Sequence, residues 1–267
     1  MSYASASEIA SVRPQPPVLI SAKAVVKVLG VIVLGLLVAN ITGVVLESVL
    51  AYESRFTRLI VQYFDFNKEE NFPAFFSAVI LLFAGLLLFL IHKRSRSMGA
   101  ARHSRHWFIL GCIFVFMAVD ESVQLHEHIA EFVRPKLSND LNGLLHWSWV
   151  VPYAVFVLIV VAYFLNWVLR LPAETRNIFF ISGFMFVAGA LGLELVEGYL
   201  FKAYGIDHLY NRVMYCIEEL LEMSAVVLFI YALLRHMERS STRLVFRSQE
   251  TTEVAESKLR PVEASEV

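Results

Sequence analysis

Charge is scarce in this chain. Asp, Glu, Lys and Arg make up 18% of its 267 residues, against about 25% in an ordinary soluble domain. Hydrophobic residues reach 57% and mean hydropathy is +0.61, which excludes a chain that is mainly a soluble domain. Cysteine is nearly absent. Cys112 and Cys216 fall in opposite leaflets on the span assignment below, beyond the roughly 7 Å reach of a disulfide, so both read as small packing residues. There is no Gly-rich nucleotide loop, no nucleophile motif, no internal repeat, and no basic, aromatic-rich patch of the kind that binds nucleic acid. The long apolar runs lack the two-residue alternation of barrel strands, so they read as helices.

The runs are long enough for membrane spans, since about 20 helical residues cross about 30 Å of hydrocarbon. They predict six: Ala24–Leu46, Ala74–Ile91, Trp107–Glu127, Trp147–Leu169, Ile178–Tyr199 and Met214–Leu234. The predicted fold is therefore an all-α integral membrane bundle of about six transmembrane helices at 23–237, between a flexible tail at 1–22 and a disordered tail at 238–267. The first span is too long for a signal-peptide core and follows a polar segment, so it is read as uncleaved. Lys93, Arg94, Arg96, Arg102 and Arg105, then Arg170 and Arg176, then Arg235, Arg239, Arg243 and Arg247 lie in alternate loops and after the last span. By the positive-inside rule both termini are cytoplasmic. The expected location is the cell's inner membrane, multi-pass, with the other end facing the periplasm.

Acids and histidines gather at that outer end. The third span finishes with Asp120, Glu121, His126, Glu127 and His128; the fifth with Glu194 and Glu197; the sixth opens with Glu218, Glu219 and Glu222; His146 precedes the fourth. At 1.5 Å per residue Asp120 is roughly 20 Å from the cytoplasmic edge and Glu222 roughly 12 Å below the outer one, so three helices place carboxylates in one layer. Asp120 and Glu127 share a helix face, as do Glu121 and His128, whereas His126 points elsewhere unless the helix unwinds. Glu194 with Glu197, and Glu218 and Glu219 with Glu222, are neighbours at i,i+3 or i,i+4.

No Lys or Arg accompanies them at that depth. An intramembrane charge costs at least about 2.5–3.5 kcal/mol, so the cluster needs protons or bound cations. Plain structural accounts cover part of it. Glu218 and Glu219 suit the first turn of a helix, and Glu69, Glu70 and Asn71 before Pro73 suit an ordinary helix start. Glu47 suits outer water, His103 and His106 suit a solvated cytoplasmic loop, and Trp147, Trp149 and Tyr153 suit an interfacial aromatic belt. Asp120, Glu121, Glu194 and Glu197 resist such an account, because they sit near C-terminal helix ends where the dipole disfavours anions. Ala188 and Gly192 form a small-xxx-small pair expected to hold the fifth span close to its neighbours.

The string DE-x4-HE at Asp120–Glu127, the EENFP entry to the second span and the EELLEM opening of the sixth resemble an uncharacterised family of bacterial multipass membrane proteins. The resemblance spans the second to the sixth helix. It implies a bacterial membrane protein and supplies no activity. The pattern departs from membrane di-iron oxidases, which use ExxH on helices; this sequence contains no ExxH.

Three functions fit. The leading expectation is a metal-dependent membrane enzyme, a hydrolase or oxidoreductase, acting on a membrane lipid or another apolar small molecule. Its ligands for divalent Zn, Fe or Mn would be Glu121, His126, Glu127, Glu194, Glu197, Glu219 and Glu222, with Asp120, His128, His146 and Glu218 as second candidates. Asp120, Glu121 and Glu127 are the candidate catalytic acids or bases. The runner-up is a proton- or cation-coupled transporter, disfavoured because the acids occupy one leaflet. The third is a non-catalytic assembly subunit. Stoichiometric metal, ion flux in vesicles, or neither, separates the three.

Overall fold

Long runs of Leu, Val, Ile and Phe give a backbone in lipid no partner but itself, and helices satisfy it within each segment. The computed structural model describes residues 21–239, apart from 53, 100, 138, 206 and 207, and every regular element among them is helical. The tails expected at 1–22 and 238–267 lie almost wholly outside the described residues; Ala22 already begins α1, and the last helix runs through Arg239.

The elements are α1 (Ala22–Val44), α2 (Arg55–Phe64), α3 (Phe72–Ser97), α4 (Ala101–Val123), α5 (Leu125–Val133), α6 (Val150–Val168), α7 (Ala173–Val187), α8 (Glu194–Tyr204) and α9 (Leu209–Arg239). Five helical stretches are long and apolar enough to cross a membrane: Ala22–Val49, Phe72–Ser97, Ser104–Val123, Val150–Val168 and Ala173–Tyr204. The sixth expected span is α9. It is not among those five stretches, yet it is the central helix, packed against α1, α3 and α7. Met223, Ala225, Val226, Val227, Phe229, Ile230, Ala232, Leu233 and Leu234 bury one continuous stretch of it.

Two ends of the bundle differ in regularity. At the end where α3 finishes and α4 begins, Ser104 Oγ meets His92 Nδ1 at 2.7 Å. Close by, Trp107 and Trp167 pack edge to face at 4.6 Å, and Phe179 lies on Phe229 at 4.5 Å. His106, expected in a solvated loop, instead stacks on Trp167 at 5.4 Å with rings 5° apart. It belongs to the first turns of α4, which start earlier than the apolar run.

At the other end the chain is irregular. The first span closes with a wide π turn, Val45–Val49. The amphipathic α2, too short to span and unforeseen in the sequence, follows; the Ser54 hydroxyl accepts the Thr57 N–H at 3.0 Å as its N-cap. Its Phe56, Leu59 and Tyr63 are exposed. Buried Asn40 of α1 accepts the Phe66 N–H at 3.1 Å, tying the α2–α3 turn to the bundle. A second π turn, Ala188–Leu193, lies between α7 and α8.

Candidate functional site

Five chain segments bring acids to the irregular end; local departures from ideal geometry lie at Glu70, Gln124 and Ala188–Leu193, while α9 is a regular helix. The turn before α3 is built by Asn71, whose amide donates to the Asp65 and Lys68 carbonyls and whose Oδ1 caps the Ala74 N–H. Pro73 sits in the first helical turn, so the expected helix start is present. Glu70 takes a left-handed conformation at φ 59°, and Glu69 turns inward rather than serving that start: its Oε1 lies 3.3 Å from His126 Nε2.

The helix carrying Asp120 does not continue to Glu127. Gln124 adopts φ 56°, ψ 41°, which breaks the helix and starts α5 in a new direction. Heptad arithmetic across the break therefore fails. His126 folds back onto Asp120: its backbone N–H donates to Oδ1 at 2.8 Å, and its ring Nδ1 lies 3.5 Å from the same oxygen. Asp120 Oδ2 accepts the Tyr153 hydroxyl at 2.9 Å. Burial alone would favour neutral imidazole, but the hydrogen bonds to Asp120 and Glu69 and their charges push His126 up to about 10. It is therefore a cation clamped between two carboxylates at neutral pH.

Glu194 and Glu197 open α8, directly after the π turn. That turn holds Gly189 against α9. A Cβ there would stand 2.9 Å from Glu222 Cγ and 3.4 Å from the Glu218 carbonyl oxygen. The close approach expected of Ala188 and Gly192 is thus made by Gly189; nothing lies within 4 Å of a Cβ on Gly192. The extra residue of a π turn rotates the helix face, so spacing read as ideal α selects the wrong glycine. Farther along α8, a Cβ on Gly198 would collide with the Gly143 carbonyl. This contact seats the α5–α6 connection on α8, with Ser148 donating to the Ala130 carbonyl at 2.9 Å.

The result is one cavity of about 510 Å³. Asp120, Glu121, His126, Glu127, His146, Glu194, Glu197, Glu218, Glu219 and Glu222 all line it, joined by Lys68, Glu69, Glu131 and Arg134. His128 does not; it is exposed, and its Nδ1–H donates to the Gln124 carbonyl at 2.8 Å. His146 sits at the mouth, where its Nδ1 accepts from Arg134 at 2.7 Å. Burial and the Arg134 charge hold it below the usual histidine range, so it is neutral. Burial, then the charge of Glu69, raises the Glu127 carboxyl at the same rim.

Deeper in, Glu194, Glu197 and Glu218 each offer an oxygen, all three within 4.8 Å of one another. Glu194 accepts the Trp149 indole N–H at 3.0 Å. Glu197 is fully buried, and among the described residues its carboxyl meets no donor other than the neighbouring Glu218 carboxyl. Glu219 and Glu222 feel the charges of Glu121 and Glu194. Among the described residues, six glutamates (121, 194, 197, 218, 219, 222) thus share the cavity with His126, already committed to two other acids, and with the exposed Lys68 and Arg134.

Trp149 and Tyr153, expected in a membrane-interface belt, are instead hydrogen-bonded wall residues of this cavity. With Glu69, and with Lys68, Glu131 and Arg134 on the lining, they are residues that the sequence pattern does not gather into the site. The EENFP string was the available signal for Glu69; nothing in spacing pointed to the two aromatics.

A family model described as a domain of unknown function (DUF8692) matches residues 28–237, which takes in the first span as well as the motif-bearing helices. Neither the curated proteins nor the solved structures contain a match.

Proposed function

We propose, for a chain that belongs to the DUF8692 family, that it is a metal-dependent membrane enzyme whose carboxylate cavity holds one or two divalent ions. The observation that carries this reading is the Glu194, Glu197 and Glu218 trio, with oxygens within 4.8 Å of one another and Glu197 fully buried with no donor among the described residues but the Glu218 carboxyl. A buried carboxylate without a partner costs several kcal/mol, and a cation among three carboxylates removes that cost. Oxygen ligands suit hard ions, so Mn²⁺ comes first, with Fe and Zn as other outcomes. Glu121, Glu219 and Glu222 complete the set, and His126 acts as a fixed counter-charge rather than a ligand.

A bound ion would polarise a substrate carbonyl or supply a nucleophilic water. The chain's own residues then divide the work. Asp120 is a positioning residue, fully engaged by His126 and Tyr153. Glu121 and Glu127 are the proton-transfer candidates, Glu127 at the rim where a proton can exchange with solvent. The site would face the periplasm across a bacterial inner membrane, in keeping with the Lys and Arg at the opposite end. A reporter fused after Arg239 should read as cytoplasmic.

The alternative of a proton- or cation-coupled carrier needs a polar route onward from the acids. Below them lie Phe114, Phe179, Phe229 and Trp167, which favours the enzyme. The test is elemental analysis of the purified protein. At least one metal per chain is expected, lost in Glu194→Gln/Glu197→Gln. A metal-free wild type whose melting ignores chelators would replace the enzyme with the carrier.

A further inference from the structure

A second cavity, of about 470 Å³, lies between α6 on one side and α4, α7 and α9 on the other. Its walls on α4 run from Leu110 to Met117, before Asp120; on α7 from Phe179 to Val187, before Glu194; on α9 from Ala225 to Phe229, after Glu222. It therefore continues from the acids toward the opposite end of the bundle. Met117, Phe156, Val157, Phe186 and Val187 line both spaces, so the two are contiguous. The slot's one hydroxyl, on Ser182, is spent on the Phe179 carbonyl at 3.2 Å. Along the slot's side, Val161 and Leu165 of α6 and Phe180 and Phe184 of α7 are exposed. Both helices are membrane spans by length and composition, so these residues face hydrocarbon.

We propose that the slot takes the hydrocarbon chain of a bilayer lipid, entering sideways between α6 and α7, with the lipid's polar end at the carboxylates. This names the substrate class of the enzyme reading above and rests on it. Three features select this occupant over others. Apart from the Trp167 indole N–H, which has no hydrogen-bond partner among the described residues, the walls are apolar. The flanking surface is already in contact with lipid chains. The join to the acidic cavity fixes which end of an amphiphile points where. Ligand cavities of about 300–1,000 Å³ with apolar walls and a few convergent polar groups are the usual form of such sites.

Gly183 provides the test variant. It lines the slot, and nothing lies within 4 Å of a Cβ there, so a side chain can leave the backbone at this position, and Gly183→Phe adds bulk at the slot's wall. The full-length protein is placed in phosphatidylcholine nanodiscs containing phosphatidylcholine with a photoreactive diazirine on its chain, either near the carbonyl or at the chain end. Adducts are mapped by mass spectrometry. The carbonyl-proximal probe should label near Met117 and Val157, and the chain-end probe near Phe229 and Val168. Gly183→Phe should cut both at least fivefold while leaving adducts around exposed Val31 of α1 and the metal content unchanged. Adducts spread evenly over all exposed faces, a reversed order of the two probes, or indifference to Gly183→Phe would overturn the slot. Ordered, Gly183→Phe-sensitive labelling of a protein that carries no metal would uphold the slot and reject the metal.

Discussion

The two ends of this bundle treat carboxylates in opposite ways. At the end where α9 finishes, the acids among the described residues have cations: Glu174 pairs with Arg235 and Arg239, and Glu238 with Arg235, and also accepts the Ala22 N–H. At the other end the pairs Glu47–Arg212 and Asp140–Lys202 lie at the edge, and the interior acids share His126. The backbone follows the same division. Among the described residues, the five non-glycine residues with positive φ (Ala51, Glu70, Gln124, Leu141 and Asn142) belong to the acidic end, as do both π turns. Strained and widened backbone is held only where the surroundings enforce it, and it concentrates at functional sites. The regular, charge-paired end reads as scaffold, and the irregular, unbalanced end as the working site.

Metal removal should break this asymmetry most. An ion at 100 to 1,000 times its Kd stabilises the folded state by about 3–4 kcal/mol, or about 6–15 °C in melting temperature at roughly 2–4 °C per kcal/mol. Chelation should lower the melting temperature by that order, and more steeply at high pH, where protons cannot replace the lost charge. Returning the metal should restore it. In Glu194→Gln or Glu222→Gln the chelator effect should shrink, because one source of repulsion is gone. Melting curves in detergent across pH, with and without chelator, measure this. Identical curves would mean that protons balance the cluster.

The next largest effect belongs to Gly189. A side chain there meets Glu222 Cγ at 2.9 Å, so Gly189→Leu must push α9 away. Overpacking of this kind costs about 1–3 kcal/mol. The sharper readout is metal affinity, which should fall because Glu222 moves, while Gly192→Leu, with open space around it, should change neither. Equal effects of the two substitutions would contradict the close approach.

That pair of glycines also shows how far the sequence could be read. Run length and composition were sufficient for the all-helical fold, because lipid leaves an apolar chain few alternatives. The acidic layer was legible too, since a carboxylate inside a span needs a reason. What spacing could not deliver was direction. The arithmetic assumed 100° per residue through Gln124 and through Ala188–Leu193, and both interruptions reset the phase. Hence His126 reaches Asp120, His128 leaves the site, and Gly189 takes the place of Gly192. The hydrogen bonds of Trp149 and Tyr153 depend on the approach of separate helices, which leaves no local pattern. The helix α2 was passed over because ten residues are too few to span.

An effect of similar size isolates His126. Its ring is raised to about 10 by Asp120 and Glu69, above the ordinary value near 6.5. A group whose folded pKa is raised contributes fully below its unfolded pKa and loses that contribution as pH rises through the folded one. Stability should therefore decline between about pH 6.5 and 10 on this account. In His126→Gln that part of the slope should flatten, with a loss of about 1.5–3 kcal/mol near pH 6, the range for a hydrogen bond to a charged group. An unchanged slope in the variant would mean that the imidazole is not held as a cation.

The smallest effect is expected at the paired end, and its sign matters more than its size. Glu174 and its two arginines are about one-third to one-half exposed, and surface pairs of this kind contribute about 0–1 kcal/mol. Glu174→Gln removes attraction to Arg235 and Arg239 and should destabilise by less than about 1 kcal/mol, less still in high salt, where exposed charges are screened. Glu197→Gln removes repulsion from Glu194 and Glu218 and, in chelator, should stabilise. The same chemical change, carboxylate to amide, is thus predicted to act in opposite directions at the two ends of one molecule. Melting of both variants, in chelator and at two ionic strengths, makes the comparison directly. If Glu174→Gln and Glu197→Gln both destabilise without metal, the acidic end is balanced by a partner within the fold, and the case for a bound cation loses its electrostatic basis.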